Sequence, residues 1–86
     1  MPESTITPFD WRHIEQHHYE CSWHGFRLVA NQDLWKVEWS GFIRQGTPRV
    51  CPGIRISAAR RAEIARQNAE AAAYRQYMKE GKGNEQ

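Results

Sequence analysis

The chain lacks the features that mark a membrane protein, an exported protein or a stapled core. No apolar run approaches the ~18 residues that a bilayer-spanning helix needs. The opening Met1-Pro2-Glu3-Ser4-Thr5 has neither the basic nor the apolar region of a secretory leader. A soluble, cytoplasmic protein with no membrane partner is therefore expected. Cysteine is scarce: only Cys21 and Cys51 occur. Without an export signal they read as reduced thiols, although a Cys21 to Cys51 disulfide stays chemically open. No C-x-x-C pair is present, so the usual anchor of a structural zinc motif is missing. A dominant sign of charge is missing too, since 12 Lys and Arg against 10 Asp and Glu leave +2.

Aromatic side chains are, by contrast, plentiful. In 86 residues that are 40% hydrophobic and 12% aromatic, one domain spanning 1–86 is the only economical arrangement, with 1–8 and 81–86 as flexible tails. Such a chain sits near the lower size limit for an unassisted core. Each buried ring removes roughly 150–250 Å² from water, so Trp11, Trp23, Trp35 and Trp39 are expected to set either the core or a contact surface. Charge is uneven along the chain. Residues 1–43 hold three cations against six carboxylates, net −3, and residues 44–86 hold nine against four, net +5. The second half is the one suited to an anionic partner.

Period and punctuation predict the elements. Asp10 as a cap, with Phe9 and Ile14 placed as a hydrophobic staple, predicts a short helix from 10 to 17 or 18. From Tyr19 the period becomes two: Tyr19, Cys21 and Trp23 alternate with polar residues, as on a strand with one buried face. After Gly25, the segments 26–30 and 34–39 flank Asn31-Gln32-Asp33 and predict a hairpin. Phe42, Ile43 and Arg44 continue beyond a Ser40-Gly41 turn or bulge, and 49–56 reads as irregular because Pro52 removes a backbone donor. Ser57 then caps a long helix from 58 to about 79. Its Ala58, Ala62, Ala65, Ala69 and Ala72 form a stripe of small residues, able to seat closely on the large side chains of the hairpin. The predicted fold is α+β: a short N-terminal helix, a three-stranded antiparallel sheet, and the long C-terminal helix packed on one face.

Candidate sites are few. All four histidines fall between His13 and His24. His13, His17, Cys21 and His24 carry enough donors for a tetrahedral zinc ion that would join the first helix to the first strand. The same residues can equally form a solvated, hydrogen-bonded cluster with no metal or other cofactor. Cys21 or Cys51 as a nucleophile would need a histidine base, an oxyanion site and a pocket, none of which is legible, so a non-enzyme is expected. Arg55, Arg60, Arg61 and Arg66 surround the start of the long helix, where the dipole also favours anions. Against this stand the i, i+3 and i, i+4 pairings Arg60 with Glu63 and Arg66 with Glu70, which would spend two of these charges on the helix surface. Trp11 is the ring least committed to the core and the best aromatic candidate for a partner contact.

The order helix, three extended segments, long helix, with Ser57-Ala-Ala-Arg60-Arg61-Ala-Glu-Ile-Ala65 opening the last helix, resembles a double-stranded RNA-binding domain over about half of the chain. That resemblance implies phosphate contacts from Arg55, Arg60 and Arg61. In size and in its hairpin-plus-helix plan the chain also resembles the small accessory proteins of bacteriophages and mobile elements, including anti-CRISPR inhibitors. This second resemblance implies a non-enzymatic protein that blocks or modulates a bacterial macromolecular complex, a CRISPR-type nucleoprotein defence complex among them, through Arg55, Arg60, Arg61, Arg66 and Trp11.

Overall fold

The computed structural model describes residues 9–48, 53 and 55–80. The predicted tails and Cys51 lie outside these residues. Five strands run in chain order, β1 (Arg12–Glu15), β2 (His18–Trp23), β3 (Phe26–Ala30), β4 (Trp35–Trp39) and β5 (Phe42–Gly46), followed by α1 (Ala58–Lys79). Each strand pairs antiparallel with the next, giving a five-stranded meander. The fold is α+β with a long C-terminal helix, but it has neither the short N-terminal helix nor the three-stranded sheet read from the sequence.

The segment expected to be the first helix is β1 and the turn after it. Its cap and staple sit at the start of barely two turns, too few to repay helix nucleation. Strand β2 meanwhile offers the inward-facing backbone groups of β1 a partner: Arg12 pairs with Glu20, His13 with Tyr19 and Glu15 with His18, across a bulge between His13 and Glu15. His17 at φ 59° then turns the chain in a way that no right-handed helix permits. The fifth strand was hidden for a different reason. All but its last residue are exposed, so β5 shows no alternation of apolar and polar side chains, only the adjacent pair Phe42 and Ile43.

Local chemistry explains the turns. Two hairpins close through His24-Gly25 and Ser40-Gly41, with φ of 46° and 83° in the first and 43° and 85° in the second. Positive φ at both central positions matches the right-handed strand twist, and glycine takes the second position without strain. Between β3 and β4, the Asn31 side-chain oxygen accepts from the backbone N–H of Asp33 and of Leu34 at 2.7 and 2.9 Å, an Asx turn.

Helix α1 lies across β3 and β4. Ser57 accepts from the backbone N–H of Arg60 at 3.1 Å and so caps it as expected. Ala62, Ala65, Ala69, Ala72 and Ala73 are buried, with Cys21, Trp23, Phe26, Leu28, Ala30 and Val37 as the rest of the core. The predicted alanine seam is therefore real, except that Ala58 is only half-buried and Ala73 joins it. Tyr77 closes the far end against Trp23 at 5.1 Å, whereas Met78 points outward, 39% exposed. Two indole N–H groups fasten the helix: Trp11 donates to Glu70 at 2.6 Å, and Trp39 donates to Glu80 at 3.0 Å. Among the described residues the opposite sheet face carries no helix, and it shows a largely polar row of Arg12, Glu20, Val29, Lys36 and Gln45. Among the described residues, no helix is long and apolar enough to cross a membrane.

Candidate functional site

The residues singled out in the sequence are scattered by the fold. Trp11 is half-buried and held to Glu70, so it braces the helix. Arg66 lies 4.0 Å over the ring of Tyr19, which displaces the expected Arg66 to Glu70 pair, Glu70 being occupied by Trp11. Arg60 reaches Glu63 at 2.8 Å, as the i, i+3 spacing anticipates. Arg55 and Arg61 are exposed at the start of α1 and meet no carboxylate among the described residues.

The histidines separate as well. His13 stacks on Tyr19 at 4.6 Å, His18 meets Glu20 at 3.2 Å, and His24 stacks on Tyr77 at 4.7 Å. His13 and His17 do not share a helix face because no helix exists there, and Cys21 is a free thiol buried in β2. Among the described residues no three His, Cys, Asp or Glu side chains are placed to hold a metal ion. The Cys21 thiol is pushed above its ordinary value of 9.0, first by burial and then by the nearby charges of Glu70 and Asp10, with a backbone hydrogen bond at Asp10 opposing. It is therefore protonated near neutrality, the unreactive state of a packed cysteine.

What the fold gathers instead lies along β5. The sheet has two edges, and they differ. Strand β1 has four residues and carries a bulge, a common way of blunting an edge. Strand β5 runs in unbroken register from the Trp35–Gly46 pair to the Trp39–Phe42 pair, and among the described residues its outer side has no strand beside it. Phe42 and Ile43 are 63% and 59% exposed, on opposite faces of this edge. Phe42 is also the open end of a row of rings that begins in the core: Phe26 meets Trp39 at 5.5 Å and Trp39 meets Phe42 at 5.9 Å, with Trp23 behind Phe26 at 5.8 Å. The repeated tetrapeptides Trp23-His24-Gly25-Phe26 and Trp39-Ser40-Gly41-Phe42 are the sequence signal for this row, and each spans one of the two tight turns.

Because α1 covers β3 and β4 but stops short of β5, a cleft of about 510 Å³ opens between the helix and this edge. Its lining includes Arg44 and Thr47 from the strand side, Asn68 and Arg75 from the helix, and the indole of Trp35. Neither arginine meets a carboxylate among the described residues, and no acidic side chain lines the cleft. The carboxamide Oδ1 of Asn68 is buried without a hydrogen-bond partner among the described residues. Gly46 admits the Trp35 ring, since a Cβ there would fall 2.9 Å from Trp35 Cζ2. An unpaired backbone row, two exposed apolar side chains and two unpaired cations can together bind an extended chain. Comparison with known proteins returns no matching family, no matching curated sequence and no matching solved structure.

Proposed function

We propose that this chain is a non-enzymatic binding protein that docks on a bacterial macromolecular complex through the β5 edge and blocks or modulates it. The observation that carries this reading is the contrast between the two edges: β1 is bulged and short, β5 is regular and exposes Phe42 and Ile43. An unprotected edge with apolar side chains on both faces is a pairing template in water. Absence of catalysis is supported by the burial of Cys21, to which no histidine is hydrogen-bonded among the described residues. The likeness in size and plan to small mobile-element proteins makes a CRISPR-type nucleoprotein complex the first to test.

The test is affinity capture from a bacterial lysate at physiological salt, followed by reconstitution of the captured complex with purified chain. Wild type should bind stoichiometrically and alter the activity of the complex. Ile43→Lys should weaken binding at least about tenfold while its circular dichroism and melting temperature stay close to wild type, because the residue is exposed. Equal binding by wild type and Ile43→Lys would remove β5 as the docking edge.

A nucleic-acid module is the second reading, and its support is that Arg55 and Arg61 at the start of α1 meet no carboxylate among the described residues. It calls for retention on RNA or DNA that falls steeply with salt, is weakened by Arg55→Ala with Arg61→Ala, and is indifferent to Ile43→Lys.

A further inference from the structure

If β5 is the docking edge, the cleft beside it dictates what that edge accepts, and the inference below rests on that reading. A strand added antiparallel to β5 would set one residue opposite each of Gly46, Gln45, Arg44, Ile43 and Phe42, in that order from its own N-terminus. Successive side chains would alternate between the helix side and the open face. Opposite Ile43 and Phe42, which are more than half exposed, apolar side chains gain most by covering surface now in water. The position opposite Arg44 borders the cleft, which Arg75 of α1 also lines. There a carboxylate would meet two guanidinium groups and no competing acid.

The carboxylates of α1 are engaged elsewhere. Glu63 is taken by Arg60, Glu70 by Trp11, and Glu80 by Trp39 and Gln76. None of these carboxylates lines the cleft, so its two guanidinium groups have no acidic neighbour among the described residues. Asn68 adds a buried Oδ1 that lacks a donor in the same wall, which an amide N–H of an entering segment would supply. A nucleic-acid backbone would also be drawn to Arg44 and Arg75, but it has no use for the apolar pair or for an unpaired strand edge, whereas an acidic polypeptide uses all three.

We propose that the cleft between α1 and β5 takes the carboxylate of an acidic residue on an extended partner segment, within a pattern that reads acidic, apolar, apolar from N to C. Fluorescein-labelled nine-residue peptides with the core Thr-Thr-Glu-Val-Val, and the same peptide with Gln or Lys in place of Glu, would be titrated with the full chain and read by anisotropy. The Glu peptide should bind about tenfold more tightly than the Gln peptide, the Lys peptide more weakly still, and the preference should fall as salt rises. In the Arg44→Gln, Arg75→Gln double variant the Glu and Gln peptides should bind alike, while Ile43→Lys weakens both.

Equal affinity for Glu and Gln peptides, persistence of the preference in the double variant, or no binding of the Glu peptide at about 1 mM would overturn the proposal. So would a short single-stranded oligonucleotide that binds more tightly than the Glu peptide and loses affinity with Arg44→Gln. Failure of the docking edge itself is read separately, as indifference of the captured complex to Ile43→Lys. A complex lost with Ile43→Lys but retained by the Arg44, Arg75 double variant would keep the edge and dismiss the acidic anchor.

Discussion

Gly46 shows how one absent methyl group shapes the site. It stands across from Trp35 in the β4–β5 ladder, and the indole lies so close that an added Cβ would sit 2.9 Å from Cζ2 and 3.1 Å from Nε1. Gly46→Val should therefore displace the ring and lower stability by about 1–3 kcal/mol, as read by urea denaturation followed through tryptophan fluorescence. Ser40 presents the opposite opportunity. Its φ of 43° at the first turn position favours asparagine over serine, so Ser40→Asn should raise stability by about 0.5 kcal/mol in the same measurement. Cys21 ties stability to pH. The folded state holds the thiol proton more tightly than the unfolded chain does, so its contribution is complete below the ordinary value of 9.0 and is lost as pH rises above it. The stability difference between wild type and Cys21→Ala, read from denaturation midpoints, should accordingly narrow as pH rises above 9.0.

At the scale of elements, α1 is amphipathic by size more than by polarity. Its buried residues are all alanines, and their small volume lets the backbone settle on Leu28 and Val37, both fully enclosed. Overpacking is the predicted weakness. Ala69 has no exposed surface, so Ala69→Leu should cost about 2–3 kcal/mol and lower the melting temperature by roughly 10 °C or more. An alanine at the exposed Gln67 site should do no harm, which separates packing from helix propensity. The helix was legible because Ser57, the stripe and its length agree with one another. Strand β1 was not legible, because a cap and a staple occur there by local coincidence and only pairing with β2 decides the outcome. Strand β5 was not legible because burial, the cause of period-two patterning, never reaches it.

For the whole molecule, the placement of one helix on five strands creates the site. Covering β3 and β4 leaves β5 exposed, places Arg44 and Arg75 on the lining of one cleft, and uses up Arg60, Arg66 and Trp11 in Glu63, Tyr19 and Glu70 contacts. Of the arginines and the tryptophan expected to face a partner, only Arg55 and Arg61 keep neither a carboxylate nor a ring contact among the described residues. Neither Arg44 nor Arg75 had a local signal, since their place on one cleft depends on how α1 lies on the sheet, which spacing along the chain does not encode. The fastening of α1 by Trp11 and Trp39 is likewise non-local. Replacing both with Phe should keep the rings but lose the two indole donors, lowering stability by about 1–3 kcal/mol with little change in secondary structure by circular dichroism.

The amino-acid order alone determined the α+β class, the hairpin around Asn31, the capped helix from Ser57 and the alanine seam, since each follows from interactions between residues close in the chain or from a period that burial imposes. Tertiary structure decided that residues 12–15 form a strand, how many strands the sheet has, which cations remain unpaired and where the cleft opens. Those outcomes depend on which groups meet across the sheet and beneath the helix, and hydrogen bonds and charges between distant residues leave no periodic trace along the chain.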